Sequence, residues 1–397
     1  MTDAQGIFPK RAGDVTPGAR VAAAITVLDQ VLAGMPAEQA LLRWSRGSRF
    51  AGSGDRARLR DLVFGALRQR DSLAALGGSL DGRGLMIGHA RRQDMDIAAL
   101  FSGEGHSPAP LIQAELDHVA PATLPDDLPD WIRPRWHASL GDQAGRVAAL
   151  MADRAPVWLR VNPQRVDPDS AVDQLQSEDI PTRPADDLPT ALQVMGNERA
   201  VARSALYRDG GIELQDLSPQ LACAALPLRA DDRVLDFCAG GGGKTLALAA
   251  RQPKARYEAH DALPARMGDL PERAERAGVP VRILRKPEGS YDLVVADVPC
   301  SGTGTWRRTP DAKWRLTQDQ LVRLTEVQAQ ILDQVAPMVR PGGHLAYMTC
   351  SLLDDENGDQ VRGFLSRHPG FALVQDRSWT PIDAGDGFYL AVMARRS

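Results

Sequence analysis

The chain of 397 residues holds only four cysteines, Cys223, Cys238, Cys300 and Cys350. They are too few and too scattered for a disulfide framework, and no pair has the CxxC spacing of a metal site, so no metal is expected. Long hydrophobic runs are missing as well. No stretch approaches the roughly 18 apolar residues that cross a membrane, and Met1 to Asp14 has no apolar signal-peptide core. Membrane and secreted readings therefore drop out. A reducing cytoplasm is the expected setting, with any special cysteine a free thiol. Lysine is scarce too, 5 against 42 arginines, so a lysine inside a motif stands out where arginine is the default cation. Lys244 and Lys313 are two such residues.

The net charge is −4, unevenly spread: residues 1–100 carry 14 Lys/Arg against 10 Asp/Glu, and residues 101–230 carry 11 against 19. Net acidity does not argue against nucleic acid, because binding depends on local patches. The length suggests two or three domains, and a monomer is the default. Residues 1–125 read as a helical domain plus linker. Pro17 opens a run with apolar residues at helical spacing, and Asp55 to Arg70 places Leu59, Leu62, Val63, Ala66 and Leu67 on one face. Arginines cluster here (Arg43, Arg46, Arg49, Arg56, Arg58, Arg60, Arg68, Arg70), which fits phosphate contact or a solvated helix face equally well. Residues 103–134, rich in proline and aspartate, read as a weakly ordered connection. Residues 126–225 read as connecting helices and a small α+β unit, with an alternating strand at Pro156–Pro163 that ends at a turn.

From residue 226 to 397 strands and helices alternate. Strands are expected at Arg233–Cys238, Arg256–Asp261, Val281–Leu284, Tyr291–Val298, Gly343–Cys350 and Phe388–Ala394. A helix is expected at Gln318–Val339, with Leu321, Leu324, Val327, Ile331, Val335 and Met338 on one face. That texture predicts an α/β domain with a Rossmann-like, doubly wound and mostly parallel sheet. Every unusual cluster falls at a strand end. The first, Cys238-Ala239-Gly240-Gly241-Gly242-Gly243-Lys244-Thr245, leads from a strand into a helix start; its glycines admit a ligand close to backbone N–H groups. A P-loop would need glycine where Cys238 stands. A nucleoside-binding turn fits better, with Asp261 ending the next strand as the acid for ribose hydroxyls. The second cluster runs Asp297-Val298-Pro299-Cys300-Ser301-Gly302-Thr303-Gly304. The third is Thr349-Cys350-Ser351, followed by Asp354-Asp355-Glu356-Asn357. Two thiols thus fall at the same edge of adjacent strands, which favours at least one being reactive over both being small core hydrophobes.

The phrases LDFCAGGGGKT, ADVPCSGTGTWRRTPDAKW, MTCSLLDDENGDQV and GDGFYLAVMARR resemble the Sun/Fmu family of S-adenosylmethionine-dependent RNA cytosine-5 methyltransferases. PVWLRVNP and GGIELQDLSPQL resemble that family's lead-in, so the likeness covers about residues 156–397. SGDRARLRDLVFGALR resembles the NusB-type RNA-binding domain of the bacterial 16S ribosomal RNA branch. The resemblance implies S-adenosyl-L-methionine as cofactor and RNA, of the 16S type, as partner. It assigns the attacking thiol to Cys350 and adduct breakdown to Cys300. Cys300 stays open as the nucleophile, since DNA cytosine-5 methyltransferases use a Pro-Cys thiol. Cys238 to Lys244, Asp261 and Arg266 are implied to hold the cofactor, and Asp297 to touch both cofactor side and base. Arg307, Arg308 and Lys313, with Trp306 and Trp314, make a basic, aromatic-studded stretch suited to RNA phosphates and bases. Two departures stand out: Gly240 and Gly241 replace the family's Ala-Pro, and Arg282 to Pro287 lacks the acid that contacts adenine. A non-catalytic RNA-binding assembly factor with the same fold is the alternative reading.

Overall fold

The computed structural model describes residues 15–397; the Met1–Asp14 segment read for a signal sequence lies outside them. The chain segregates into two compact units, and they do not follow the boundaries at 125 and 225. One gathers residues 15–130 together with Ala148–Arg154 and Trp306–Arg315. The other holds Trp131–Val147, Ala155–Thr305 and Leu316–Ser397. Among the described residues, no helix is long and apolar enough to cross a membrane.

The first unit is helical. Its main helices are Pro17–Leu32, Ala37–Gly47, Ser53–Arg68, Arg70–Gly77 and Gly82–Arg92. Thr16 caps the first by accepting from Ala19 N–H at 3.2 Å, with Pro17 pre-set for the opening turn. The expected stripe on Ser53–Arg68 is real: Leu59, Val63, Ala66 and Leu67 are buried against Val27, Leu28, Leu73 and Leu85, at about 1.5–3 kcal/mol for each large aliphatic side chain. Arg43, Arg46, Arg49, Arg56 and Arg60 face solvent, and Arg68 is buried. The segment after Gly103 has little regular structure but is pinned. Arg83 bonds Glu115 and the carbonyls of Ala109 and Pro110, and Asp127 accepts from the Ser72 N–H and hydroxyl at 2.9 and 2.7 Å.

Trp306–Arg315 belongs to this helical unit although it follows the Pro-Cys cluster in sequence. Trp306, Arg307 and Lys313 are buried, and Arg308 is half-buried. Lys313 Nζ donates to Arg68 O at 3.0 Å, Trp314 Nε1 to Leu67 O at 2.7 Å, and Arg68 Nε to Arg307 O at 2.6 Å. The Arg70 guanidinium lies 3.5 Å from the Trp314 ring centre. This corrects the reading of the stretch as an RNA platform. Both side chains are buried in a folded unit; Lys313 supplies a donor to a carbonyl at the end of the Ser53–Arg68 helix, and the Arg307 carbonyl accepts from Arg68.

The second unit contains two sheets. Strands β1 (Val157–Val161), β2 (Thr182–Ala185), β3 (Leu188–Val194) and β4 (Ile212–Leu214) form a four-stranded sheet in the order β2-β3-β1-β4. All its pairings are antiparallel. Helices Pro168–Ser177 and Ala205–Arg208 interleave to give a βαββαβ unit. Strands β5 (Arg233–Asp236), β6 (Arg256–Ala259), β7 (Val281–Ile283), β8 (Tyr291–Asp297), β9 (Val339–Thr349), β10 (Phe371–Trp379) and β11 (Phe388–Arg395) form the second sheet, ordered β10-β11-β9-β8-β5-β6-β7. It is parallel from β9 to β7, and β11 runs antiparallel to β9. The Rossmann-like α/β architecture expected from the sequence is present. The chain leaves β5 toward β6 and β7, then returns to β8 on the other side, so the switch point lies between β5 and β8, where such sheets bind ligands. Strand β10 escaped the sequence reading because most of its residues are exposed on an edge strand, leaving no alternation to read.

Lys313 offers a test of this packing. It is 2% exposed, and burial lowers its pKa from an ordinary 10.5 to about 8 against the pull of Asp127 and Asp71. Between those values the unfolded chain binds more protons than the folded one, so Lys313 makes stability rise with pH there, by at most about 1.4 kcal/mol per pH unit. Urea unfolding of wild type and Lys313→Met should therefore show the wild type gaining on the variant from pH 8 to pH 10. Parallel pH profiles would contradict the buried position.

Candidate active site

Strand β5 ends at Asp236, whose buried carboxylate accepts from Thr245 Oγ1 at 2.6 Å while its Oδ1 has no partner. Burial pushes this acid up to about 6. The turn that follows needs glycine: Gly240 and Gly242 have φ of +49° and +78°, and a Cβ on Gly242 would sit 2.2 Å from Leu270 Cδ1. Asp261, just past β6, is buried and accepts from Gly240 N–H at 3.0 Å and Leu263 N–H at 2.9 Å. Arg266 lies 3.4 Å from it, with a largely exposed side chain.

The small sheet holds this turn from behind. Arg160 on β1 donates to Gly243 O at 3.0 Å, and Gln215 donates to the same oxygen at 3.2 Å. Glu213 on β4 pairs with Arg273 at 2.8 Å and with Arg276; Arg273 in turn bonds Gly241 O. Burial works against the Glu213 charge, and the two guanidiniums outweigh it, leaving its pKa below the usual range. Sequence reading passed over Arg160, Glu213 and Arg273. Arg160 and Glu213 had one signal, membership in the quoted lead-in phrases, and Arg273 had none.

Lys244 Nζ pairs with Asp297, which ends β8, and sits 5.5 Å from the centre of the Phe388 ring. Burial lowers the Lys244 pKa and Asp297 raises it more strongly, so the ammonium stays charged. A lysine committed to a carboxylate differs from the phosphate-facing lysine of a P-loop. The parallel register pairs Asp297 with Met348, which brings the next turns of β8 and β9 level. Cys300 Sγ and Cys350 Sγ consequently lie 3.3 Å apart. Val298 N–H bonds Met348 O at 3.0 Å, and Gly304 N–H bonds Cys350 O at 2.9 Å. Gly304 also meets the turn before β11 so closely that a Cβ would stand 2.3 Å from Gly387 O.

The two thiols ionise unequally. The hydrogen bond from Cys300 lowers the pKa of Cys350 despite burial, with Lys244 helping and Asp297 opposing. That bond and burial push Cys300 well up. Burial is the largest cause of the rise at Cys238, ahead of Asp236, Asp297 and Asp261, and it pushes Cys223 up to about 12. The structure thus brings Cys300, Cys350, Asp297 and Lys244 together, with the Cys238–Gly243 turn and Asp261 along the same sheet edge. Arg307 and Lys313 belong to the helical unit instead. Among the described residues, no group of three or more His, Cys, Asp or Glu is placed to hold a metal ion.

Unequal ionisation should be visible without any substrate. Iodoacetamide should alkylate Cys350 with a lower pH midpoint than Cys300. In Cys350→Ser the Cys300 midpoint should fall, because the thiolate that held its proton is gone. Peptide mass spectrometry across a pH series reads both, and equal midpoints in the wild type would refute the pairing.

Comparison with known proteins agrees with this geometry. A profile of the 16S rRNA methyltransferase RsmB/F family matches residues 223–393, and one of the RsmF/B-like ferredoxin-like domain matches residues 128–200. Ribosomal RNA small subunit methyltransferase B of Salmonella typhi is 32% identical over 289 residues, covering 68% of this chain and 66% of that protein. The Erwinia tasmaniensis protein of the same name is 32% identical over 285 residues, with the same coverage. The matched region spans just under two thirds of these relatives' length. Among solved structures, PH0851 superposes with a TM-score of 0.76 at 22% identity, over 96% of this chain and 99% of that one. NSun6 from Pyrococcus horikoshii with SFG gives 0.60 at 16% identity, over 68% and 99%. Strand order, motif positions and sequence likeness converge: the chain belongs to the RsmB/F family of methyltransferases.

Proposed function

We propose that this protein transfers a methyl group from S-adenosylmethionine to C5 of a cytidine in 16S rRNA through a covalent Cys350–C6 adduct. The observation that carries the reading is the 3.3 Å thiol pair beside the Lys244–Asp297 ion pair at the sheet's switch point. Membership in a family whose relatives are named for ribosomal RNA of the small subunit supports the substrate.

The residues fit the cofactor. The left-handed glycine turn exposes backbone to a ligand, the unpartnered Asp236 Oδ1 marks unused acceptor capacity beside it, and Asp261 stands where ribose hydroxyls are taken. Cys238 to Lys244 would hold the methionine end and Asp261 the ribose. Where the adenine-contacting acid is missing, exposed Leu263, four residues past β6, and Ile283, at the end of β7, would offer apolar contact instead.

Cytosine C5 is a poor nucleophile on its own. Cys350, the thiol held toward its thiolate, adds to C6, and the displaced electron pair makes C5 an enamine carbon. Bound S-adenosylmethionine supplies the electrophilic methyl that this carbon takes. Asp297, paired with Lys244, would accept from the cytosine amino group. Cys300 then changes character. Its pKa is high chiefly because it donates to the Cys350 thiolate, and that charge disappears once Cys350 becomes a thioether. Cys300 can therefore release its own proton to solvent, and the thiolate so formed takes the proton from C5. Loss of that proton restores the double bond and expels the Cys350 thiolate. The target base must be unstacked to reach the thiol.

Labelled S-adenosylmethionine with unmethylated 16S rRNA tests the reading, and bisulfite sequencing locates the base. Cys350→Ala should abolish transfer. Cys300→Ala should accumulate a denaturation-resistant protein–RNA adduct, seen as a shifted gel band. Adduct in Cys350→Ala would move the nucleophile to Cys300, and RNA binding without any transfer by the wild type would favour the assembly-factor reading.

A further inference from the structure

Glu356 lies in the acidic run after Cys350. It is 0% exposed, and among the described residues no cation pairs with it. Its Oε1 accepts from Ser301 N–H at 2.8 Å and from Gln328 Nε2 at 2.9 Å; its Oε2 accepts from the hydroxyls of Ser301 and Ser351. Those serines directly follow Cys300 and Cys350. A buried carboxylate without a cation persists only when its hydrogen bonds are complete, and the donors here come from both cysteine-bearing loops.

The anchor itself is fixed. Glu356 O accepts from the Tyr347 hydroxyl at 2.6 Å, and neighbouring Asn357 accepts from Thr349 Oγ1 at 2.5 Å and donates to Ser351 O at 3.0 Å. Gln328 also donates to Pro299 O at 2.9 Å, so the residues on both sides of Cys300 are held. This explains a departure from the helical stripe expected at Gln318–Val339. The helix ends at Val335, and it buries Gln328 while leaving Val327 40% exposed, because the polar side chain is needed at the carboxylate.

We propose that Glu356 is the positioning residue of the thiol pair: by tying the loop after β8 to the loop after β9, it sets the separation of Cys300 and Cys350. Its relevance to turnover rests on the two-thiol reaction above. Its charge acts in a second way, raising both thiol pKa values against the pull of Lys244 on Cys350. Two substitutions separate these effects. Glu356→Gln keeps the size; its amide oxygen can keep Ser301 N–H and Gln328, and its amide nitrogen can donate to the two hydroxyls turned to accept. That variant retains the tie and loses the charge. Glu356→Ala loses both.

The ruler is closure of the Cys300–Cys350 disulfide by diamide in the full-length protein. One S–S bond forms, and two electrons and the two thiol protons pass to the N=N bond of the reagent. Glu356→Ala should close at least about tenfold more slowly, since misplacement on the scale of 1 Å carries penalties of that order or more. Losing the charge would by itself speed closure, so slowing can only reflect geometry. Glu356→Gln should close within about threefold of wild type, with a lowered pH midpoint for Cys350 alkylation. In methyl transfer, Glu356→Ala should lower kcat and leave KM for RNA unchanged. Wild-type closure in folded Glu356→Ala would overturn the proposal. Should that variant not fold, Ser301→Ala combined with Ser351→Ala removes both hydroxyl ties. Slowed closure there supports the tie, and wild-type closure overturns it. The thiol assay contains neither RNA nor S-adenosylmethionine, so absent methyl transfer with slowed closure would sink the reaction reading alone.

Discussion

The parallel pairing of β8 with β9 is the constraint on which the candidate site depends. Matching Asp297 to Met348 leaves each strand's outgoing turn at the same height, so two sulfurs separated by fifty positions in the chain become neighbours. A slip of one residue would turn every side chain of β9 to the opposite face, exchanging Leu345 and Tyr347 with Ala346 and Met348 between two differently packed core clusters. Core packing and reactive geometry are thus fixed by the same register. The antiparallel strand β11 completes this by laying Gly387 against Gly304 and presenting Phe388 to Lys244.

Charge at the site is arranged in opposition. Lys244 draws one thiol toward the thiolate, Asp297 holds Lys244 in its charged form, and Glu356 resists ionisation from the far side. A cation alone would favour permanent thiolate and side reactions with electrophiles. An anion alone would leave both thiols inert. With both present, the state of one sulfur governs the proton on the other, and a single pair can serve successive steps of different polarity.

Much of this was legible because the chemistry sits at strand ends, where sequence announces itself through glycine, proline and cysteine. The sheet, its switch point and the proximity of Cys300 to Cys350 follow from strand spacing and the positions of Asp236, Asp297 and Thr349. What escaped the reading were residues whose meaning depends on three-dimensional partners. Glu356 and Gln328 are polar side chains in an acidic run and an apolar stripe; only the fold turns them into a buried pair. Lys313 and Arg307 illustrate the converse. Basic residues among tryptophans look like a nucleic-acid surface until both are seen to be buried, with Lys313 donating to a carbonyl at a helix end. Local composition cannot tell a cation that meets phosphate from one that meets carbonyl oxygen.

The helical unit takes in Ala148–Arg154 and Trp306–Arg315, which has a consequence for its synthesis. A ribosome making roughly 5–20 residues per second reaches Arg315 about ten to forty seconds after Asp130. Through that interval the N-terminal helices lack Trp306, Trp314 and the Lys313 ammonium, and must wait as an incomplete body while the α/β chain emerges. The helical part is therefore not a module that evolution or an engineer can lift off at its sequence boundary. It closes only when the segment following the Pro-Cys turn arrives, so the chain cannot finish its first domain before it has made most of its last.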